Sequence, residues 1–489
     1  MSKCGIKKVL GVLLLFLTIF FAVASLYVDY TLAGSDLESI LYYSTRSVDA
    51  DWSALYLGFK ICLPIILLSF VVFYAFFYDI TFGKIKLKYY PFAFIQKYRK
   101  VIIIVLFIFV SIILIQCINS IDYIYYSFNK SKFIEDNYTD PKSVKIKFPE
   151  KKKNLIVISV ESLEETLFTK EQNGIWDYEV IPELHQLLDD NDVITFNNKR
   201  GMYMLHGSSY TTSSIVANNS ALPIKVNYGR KGYSKNNYMS GSYSLGDLLE
   251  KEGYKNEVIS GAGTSFGSLD YYYLQHGNYN IIDPSTLLDN GYKMEKSDVG
   301  KWGFNDKYIF ELARKRLDVL SESDQPFNLQ LVTIDTHFVD GFVGDYSSTK
   351  YPRQYENAYA TTSKLIYEFV EYVRSQTYYE NTSIVIVGDH LTMQSDFIND
   401  GMFDDRTMYF CIIDSDVKKH RNNRVYTALD SYPTIVSLLN GKIEGDKLGL
   451  GVNLFSDEKT LAEEYGIENL DKELRKKSDF YDKIILGER

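Results

Sequence analysis

The chain has 489 residues, room for more than one domain, with a net charge of −9 and 46% hydrophobic residues. The acidic balance excludes a basic nucleic-acid-binding face, so no nucleic-acid partner is expected. Of the four cysteines, Cys4, Cys62, Cys117 and Cys411, only the last lies beyond residue 120, which excludes an intramolecular disulfide or a cysteine-rich zinc site in that larger part.

Three apolar stretches open the chain: Val9 to Val28, Ala54 to Phe77 and Val101 to Ile118. Each approaches or exceeds the roughly 18 to 20 residues that cross a bilayer as a helix. Lys3, Lys7 and Lys8 precede the first stretch as they would a signal peptide, but Asp29-Tyr30-Thr31-Leu32 stands where a small-residue cleavage site belongs. An uncleaved helix is therefore expected. The loop after it is acidic, with Asp36, Glu38, Asp49 and Asp51 against Arg46, and the next loop carries Lys84, Lys86, Lys88, Lys97, Arg99 and Lys100. Positive charge favours the cytoplasmic side, so three spans leave everything after Ile118 outside the cytoplasm. Residues 1–120 are thus read as a membrane domain. Residues 121–153 read as a linker, with Pro141, Pro149 and a solvated charge run at Lys151-Lys152-Lys153.

From residue 154 to 456, strand-like and helix-like segments alternate, which predicts an α/β sandwich. Leu155 to Val160 reads as a buried strand and ends in Glu161. Leu329 to Ile334 ends in Asp335-Thr336-His337, and Ser383 to Gly388 ends in Asp389-His390. In open α/β sheets, sites gather beyond the carboxyl ends of strands. Three such ends in acids and histidines point to one shared site. Helices are predicted over 181–188, 245–251, 307–320, 357–375 and 431–440, the last with Pro433 in its first turn. Further β-type runs are Glu257-Val258-Ile259 and the segment around Cys411. Residues 457–489 are charged, with spaced apolar positions, and read as a helical tail packed on the domain.

The segment Gly207-Ser208-Ser209-Tyr210-Thr211-Thr212-Ser213-Ser214-Ile215-Val216-Ala217 combines a turn with the start of a helix. Hydroxyl residues cap helices, so by itself this segment has a plain structural reading. A helix N-terminus also favours an anion, whether alkoxide or phosphate. Threonine is a poor nucleophile until a divalent cation lowers its pKa. Glu161, Asp389 and His390, with Thr211 as the fourth ligand, supply carboxylate oxygen and imidazole nitrogen, a mixture that suits Mn²⁺, Mg²⁺ or Zn²⁺.

These segments together resemble the membrane-anchored phosphoglycerol transferases of the alkaline phosphatase/sulfatase superfamily, of the lipoteichoic acid synthase and periplasmic-glucan phosphoglycerol transferase type. The resemblance rests on Asn154 to Glu164, Tyr210 to Ala217, Val332 to His337 with Asp340-Gly341-Phe342, and Gly388 to Met393. Weaker echoes are Ser265-Phe266 with Asp270, Trp302-Gly303 with Asp306, and Leu448 to Gly451. All occur in family order across about 154 to 456. The resemblance implies a central, mostly parallel sheet and a multi-pass protein of a bacterial cytoplasmic membrane with its catalytic domain outside. It implies Glu161, Thr211, Asp389 and His390 as metal ligands, with Mn²⁺ expected ahead of Mg²⁺ or Zn²⁺. Thr211 would be the nucleophile and His337 a phosphate-contacting or acid/base group. Asp270, Trp302 and Asp335 are expected to face substrate, and His206 either joins them as a second acid/base group or is an ordinary loop or core histidine. The implied reaction moves glycerophosphate from phosphatidylglycerol, through phospho-threonine, to a hydroxyl of a cell-surface glycan or polymer. The sequence departs from the pattern at His206, where a Pro-Gly type segment is expected, and at Leu269, where a basic residue is expected.

Three alternatives compete. Classical sulfatases carry a Cys/Ser-x-Pro-x-Arg segment, and none surrounds Thr211. Phosphoethanolamine transferases usually carry several ectodomain cysteines, against Cys411 alone here. An inactive membrane sensor or glycan-binding protein would not need the full set of metal-ligand types.

Overall fold

The computed structural model describes residues 3–31, 37–38, 41–42, 52–77, 80–82, 85–87, 93–117, 120–196, 201–226, 232–291, 293–394, 396–398, 406–416 and 423–487. These fall into two compact units, one made of 1–40 and 49–125, the other of 41–48 and 126–489.

The first unit is built on helices α1 (Lys3–Thr31), α2 (Trp52–Phe77) and α3 (Ala93–Cys117). Leu15, Ile19, Ile66 and Ile103 bury against one another at its centre. Phe16 meets Phe70 edge-on, and Phe21 stacks on Phe107, each pair with ring centroids 5.6 Å apart. Outward positions such as Leu13, Leu68, Ile104 and Phe109 are also apolar. Helices that are apolar all round belong in lipid or in a large core. Two segments, Val9–Leu26 and Lys97–Cys117, are long and apolar enough to cross a bilayer. The described apolar segment of α2 is the shorter Cys62–Tyr74, so the expected three spans number two by this measure among the described residues.

The second unit is an α/β sandwich around a seven-stranded sheet. Its strands are β1 (Asn154–Val160), β2 (Val193–Ile194), β3 (Lys255–Ser260), β4 (Asn280–Ile282), β5 (Phe327–Val332), β6 (Thr382–Gly388) and β7 (Phe410–Ile413). The order across the sheet is β4-β3-β5-β1-β6-β7-β2. β4, β3, β5, β1 and β6 run parallel, and β7 runs antiparallel to both its neighbours, so the sheet is mixed. The strands read as unbroken apolar runs because both faces are covered. Alternation along β1 separates two cores: Leu155 and Val157 face one, Ile156, Ile158 and Val160 the other. The first core takes Ile215 and Val216 of α4 (Thr211–Ser220). The second takes Ile309, Phe310 and Leu317 of α5 (Asp306–Leu320), and Ile366, Phe369 and Val370 of α6 (Gln354–Arg374).

Two expectations change. The charge run at 151–153 is not a solvated face throughout: Lys153 is buried, its Nζ 2.8 Å from Asp414 and 2.9 Å from Asp416. Asp414 follows β7 directly, where it can neutralise a lysine entering β1. The C-terminal segment is helical but broken, into Leu461–Tyr465, Ile467–Arg475 and a turn at Tyr481–Ile485. Gly466, at φ 77°, makes the first break, a conformation that costs a glycine little. Leu470, Leu474, Tyr481 and Ile485 are core residues of the second unit.

Candidate active site

Strand register brings the site together. Gly388 pairs with Val160, and Val332 with Ser159, so β1 and β6 end at the same level and β5 one residue short of it. Glu161 and Asp389, the next residues of β1 and β6, therefore emerge side by side, with Thr333 following β5 next to them. The Glu161 N–H donates to Thr333 Oγ1 at 3.1 Å, and the Asp389 N–H to the Val160 carbonyl at 3.0 Å. Gly388 is required here, since a Cβ would lie 1.8 Å from the Leu163 carbonyl oxygen.

Glu161, Asp389 and His390 offer ligand atoms that all lie within 4.8 Å of one another, and each residue is 1–2% exposed. Asp389 Oδ1 accepts the N–H groups of Ser162 and His390, both at 2.7 Å. Asp389 Oδ2 is buried with no hydrogen-bond partner. His390 Nδ1 donates to the Leu391 carbonyl at 2.9 Å, which leaves Nε2 facing Glu161 at 3.3 Å and Asp389 at 3.5 Å. A backbone acceptor on one ring nitrogen is how metal-binding histidines are oriented. Thr211 opens α4, and its hydroxyl donates to Glu161 Oε2 at 3.2 Å. An orphaned carboxylate oxygen, a second carboxylate, an oriented imidazole and a hydroxyl fit a divalent cation.

The electrostatics express the same crowding. Burial pushes the Glu161 carboxyl up, but the His390 and His337 rings outweigh it and hold the group at about 2. Burial and the Glu161 charge push Asp389 up to about 7. Burial would lower His390, yet the two carboxylates lift it to about 10. Two buried carboxylates need positive charge between them.

The structure places the remaining predicted residues as follows. His337 lies on the loop after β5, its Nδ1 against the Phe338 carbonyl. Trp302 packs on it, with ring centroids 4.8 Å apart, and Lys301 Nζ sits 4.5 Å over the indole. Asp335 is buried below. Its Oδ2 accepts the Asp306 N–H at 3.0 Å and the Tyr346 hydroxyl at 2.7 Å, while Oδ1 has no partner. Burial and neighbouring Asp306 push Asp335 up to about 8. Asp270 accepts the Tyr271 N–H at 2.8 Å in the first turn of a short helix over Leu269–Gln275. The His206 N–H donates to Asp471 of the C-terminal segment at 2.7 Å. No described contact brings either His206 or Asp270 to the Glu161–Asp389–His390 group.

Sequence reasoning missed the supports. Glu164, fully buried, takes Arg406 Nε at 2.8 Å and Nη2 at 2.7 Å, and accepts the Thr392 N–H at 3.0 Å. Tyr42 hydrogen-bonds Tyr238 at 2.6 Å and packs on Tyr210, the residue before Thr211, at 5.4 Å. Neither leaves a periodic signal.

Residues 153–441 match the protein family described as Sulfatase. Among curated proteins the chain is 29% identical over 322 residues to phosphoglycerol transferase I of Salmonella choleraesuis, covering 63% of this chain and 40% of that protein. It is 28% identical over 315 residues to phosphoglycerol transferase I of Shigella flexneri, covering 62% and 39%. The chain thus spans about two fifths of the length of these relatives. Two solved structures share the fold. One is an alkaline phosphatase superfamily protein from Vibrio parahaemolyticus, with a TM-score of 0.51, 20% identity, and coverage of 67% of this chain and 76% of that one. The other is the lipoteichoic acid synthase LtaP from Listeria monocytogenes, with a TM-score of 0.50, 20% identity, and coverage of 66% and 81%.

Proposed function

The chain belongs to the sulfatase family, and on that premise we propose that it is a membrane-tethered phosphoglycerol transferase. Its donor is phosphatidylglycerol and its acceptor a hydroxyl of a cell-surface glycan. α1 to α3 span the cytoplasmic membrane, the linker over 121–153 follows, and the domain over 154–456, with its C-terminal helical tail, works outside. The observation that carries the reading is the Thr211 hydroxyl on Glu161 at 3.2 Å, at the head of a helix and beside buried Asp389 and His390. The curated relatives bearing the same activity name support it.

Thr211 Oγ1 attacks the donor phosphorus, and the bond from phosphorus to the diacylglycerol oxygen breaks. The Thr211 proton ends on the departing diacylglycerol, which leaves glycerophosphate on Thr211. The hydrogen bond to Glu161 fixes the side-chain rotamer, so the oxygen is positioned before donor arrives. The α4 N-terminus stabilises phosphoryl charge. His337, whose Nδ1 is taken by the Phe338 carbonyl, presents Nε2 to carry protons between leaving and attacking oxygens. Trp302 holds that ring in place. A divalent cation (Mn²⁺, Mg²⁺ or Zn²⁺) held by Glu161, Asp389, His390 and Thr211 would lower the threonine pKa and offset charge on the phosphoryl oxygens.

Mass spectrometry of the peptide containing residue 211, after incubation with phosphatidylglycerol, tests the reading. A glycerophosphate adduct accompanied by diacylglycerol release is expected. Release with residue 211 unmodified would refute the nucleophile, and no release would refute the donor.

A further inference from the structure

The chain on either side of residues 41–48 belongs to the first unit, yet 41–48 themselves group with the second. In sequence this segment lies between α1 and α2. Its Tyr42 is 0% exposed and belongs to the core that also takes Ile215 and Val216 of α4. A buried tyrosine hydroxyl needs a partner, and this one has two. It donates to the Gly267 carbonyl at 2.8 Å and pairs with the Tyr238 hydroxyl at 2.6 Å. A hydroxyl has one proton to give, so Tyr238 is the donor in the second bond.

Tyr42 is linked to both ends of α4. At the head, its ring lies 5.4 Å from that of Tyr210. Tyr210 directly precedes Thr211, and its backbone is locked to the helix. Its N–H donates to Ser213 Oγ at 3.1 Å, and its carbonyl accepts the Ser213 hydroxyl at 2.8 Å and the Ser214 N–H at 2.9 Å. A shift of the Tyr210 ring therefore turns the first residue of α4. At the tail, the Gly267 carbonyl bonded by Tyr42 belongs to a turn in which Gly267 and Ser268 both have positive φ, 65° and 57°. That turn opens the short helix over Leu269–Gln275, whose Tyr272 hydroxyl lies 2.7 Å from the hydroxyl of Ser220, the last residue of α4. Space-filling accounts for the Tyr42 ring. It does not account for a hydroxyl that bonds the turn supporting the far end of the same helix.

We propose that Tyr42 is a positioning residue for the Thr211 nucleophile, so that the active site of the second unit is complete only with the segment between α1 and α2 in place. The inference rests on the phosphoglycerol-transferase reading above. Tyr42 acts through Tyr210 rather than on the donor. It holds α4 where the Thr211 hydroxyl rests on Glu161 at 3.2 Å. With the ring gone, Tyr210 moves into the space, and a nucleophile misplaced by about 1 Å loses about a hundredfold in rate.

The test uses the full chain in phosphatidylglycerol-containing micelles, well below the unfolding midpoint of every variant. Donor KM and the single-turnover rate of Thr211 adduct formation are read beside that midpoint. Tyr42→Ala should slow adduct formation about a hundredfold with donor KM little changed. Tyr42→Phe removes both hydrogen bonds but keeps the ring against Tyr210, so it should lower the midpoint and retain most of the rate. Leu317→Ala opens a cavity in the core on the other face of the sheet, and should lower the midpoint without slowing the adduct. A wild-type rate in Tyr42→Ala, or rates that follow the midpoint through all variants, Leu317→Ala included, would overturn the positioning role. If Tyr42→Ala does not fold, Tyr42→Leu, which fills space without a ring, decides instead: a rate well below that of Tyr42→Phe supports the role, and a rate equal to it overturns it. A wild-type chain that forms no adduct would bring down the transferase reading, and this inference with it.

Discussion

Arg406→Met should destabilise the second unit by about 3–5 kcal/mol, the cost of leaving one member of a buried ion pair without its partner. Glu164 is fully buried and its carboxylate accepts four hydrogen bonds: Arg406 Nε at 2.8 Å, Arg406 Nη2 at 2.7 Å, Thr166 Oγ1 at 2.6 Å and the Thr392 N–H at 3.0 Å. The substitution removes two of the four and all of the formal positive charge. Methionine fills part of the volume, so the loss is electrostatic rather than a cavity. Denaturant titration of the full chain in detergent, followed by tryptophan fluorescence, reads the shift in midpoint. The charge itself is the problem, so Glu164→Gln in the Arg406→Met background should recover at least half of the loss. Thr392 lies two residues beyond His390, so Arg406→Met should also weaken divalent-cation affinity by about 10- to 100-fold, the usual effect of removing a group that orients metal ligands. A stability within about 1 kcal/mol of wild type, or a double variant no better than the single one, would refute the reasoning.

Chelation should lower the unfolding temperature, Mn²⁺ should restore it, and Asp389→Ala should abolish the response, because the cation binds only the folded cluster. Cation affinity should rise from pH 6 to 8. Without the cation Asp389 sits at about 7 and His390 at about 10, so protons must leave as it binds; isothermal titration in two buffers would show the release, and a flat profile would contradict it. Asp335, pushed up to about 8 by burial and Asp306, keeps its proton when folded but loses it near 4 when unfolded. Stability therefore falls as pH rises through that window, by up to about 1.4 kcal/mol per pH unit. Asp335→Asn keeps the accepting Oδ2 and puts its amide where Oδ1 has no partner. Its melting temperature should gain on wild type from pH 5 to pH 8 and then level off; a constant difference would count against the assignment. Trp302→Ala should free the His337 ring and lower kcat more than it raises donor KM, with Trp302→Phe intermediate; an effect on KM alone would make Trp302 a binding residue only.

The parallel strands and their acidic ends were legible because both faces of the sheet are covered, which leaves runs such as 154–160 and 382–388 almost without polar residues. The helices predicted over 245–251 and 307–320 form over 245–251 and 306–320, each opened by a cap: Ser244 accepts the Asp247 N–H, and Asn305 the Tyr308 N–H. What escaped is what depends on distant partners. Lys153 looks solvated in a lysine run until Asp414, 261 residues on, arrives to neutralise it. Glu164 and Arg406 are 242 residues apart, and no local pattern links them. Asp306 looks like a helix-start acid. In the fold its Oδ1 accepts the N–H groups of Ile334 and Asp335, at 2.8 and 3.1 Å, and so shapes the His337 loop.

The division follows from how the site is made. Its ligands need no helix and no long loop: β1 and β6 pair in parallel with Gly388 opposite Val160, so the residue after each strand emerges at the same height. Ser162, at φ 54°, then turns the chain at once, and its N–H caps Asp389. Strained backbone of this kind persists where surrounding contacts over-determine it, and here the Gly388–Leu163 close approach and the Asp389 hydrogen bonds do so. The two carboxylates are therefore forced together by the sheet itself, at an electrostatic cost that the fold must offset from outside the strands. His390, its Nε2 at 3.3 Å from Glu161 and 3.5 Å from Asp389, and a cation between the two carboxylates would share that task, while Arg406 neutralises the neighbouring buried Glu164. Chemistry that can be read at strand ends thus depends on supports that can be read only in three dimensions.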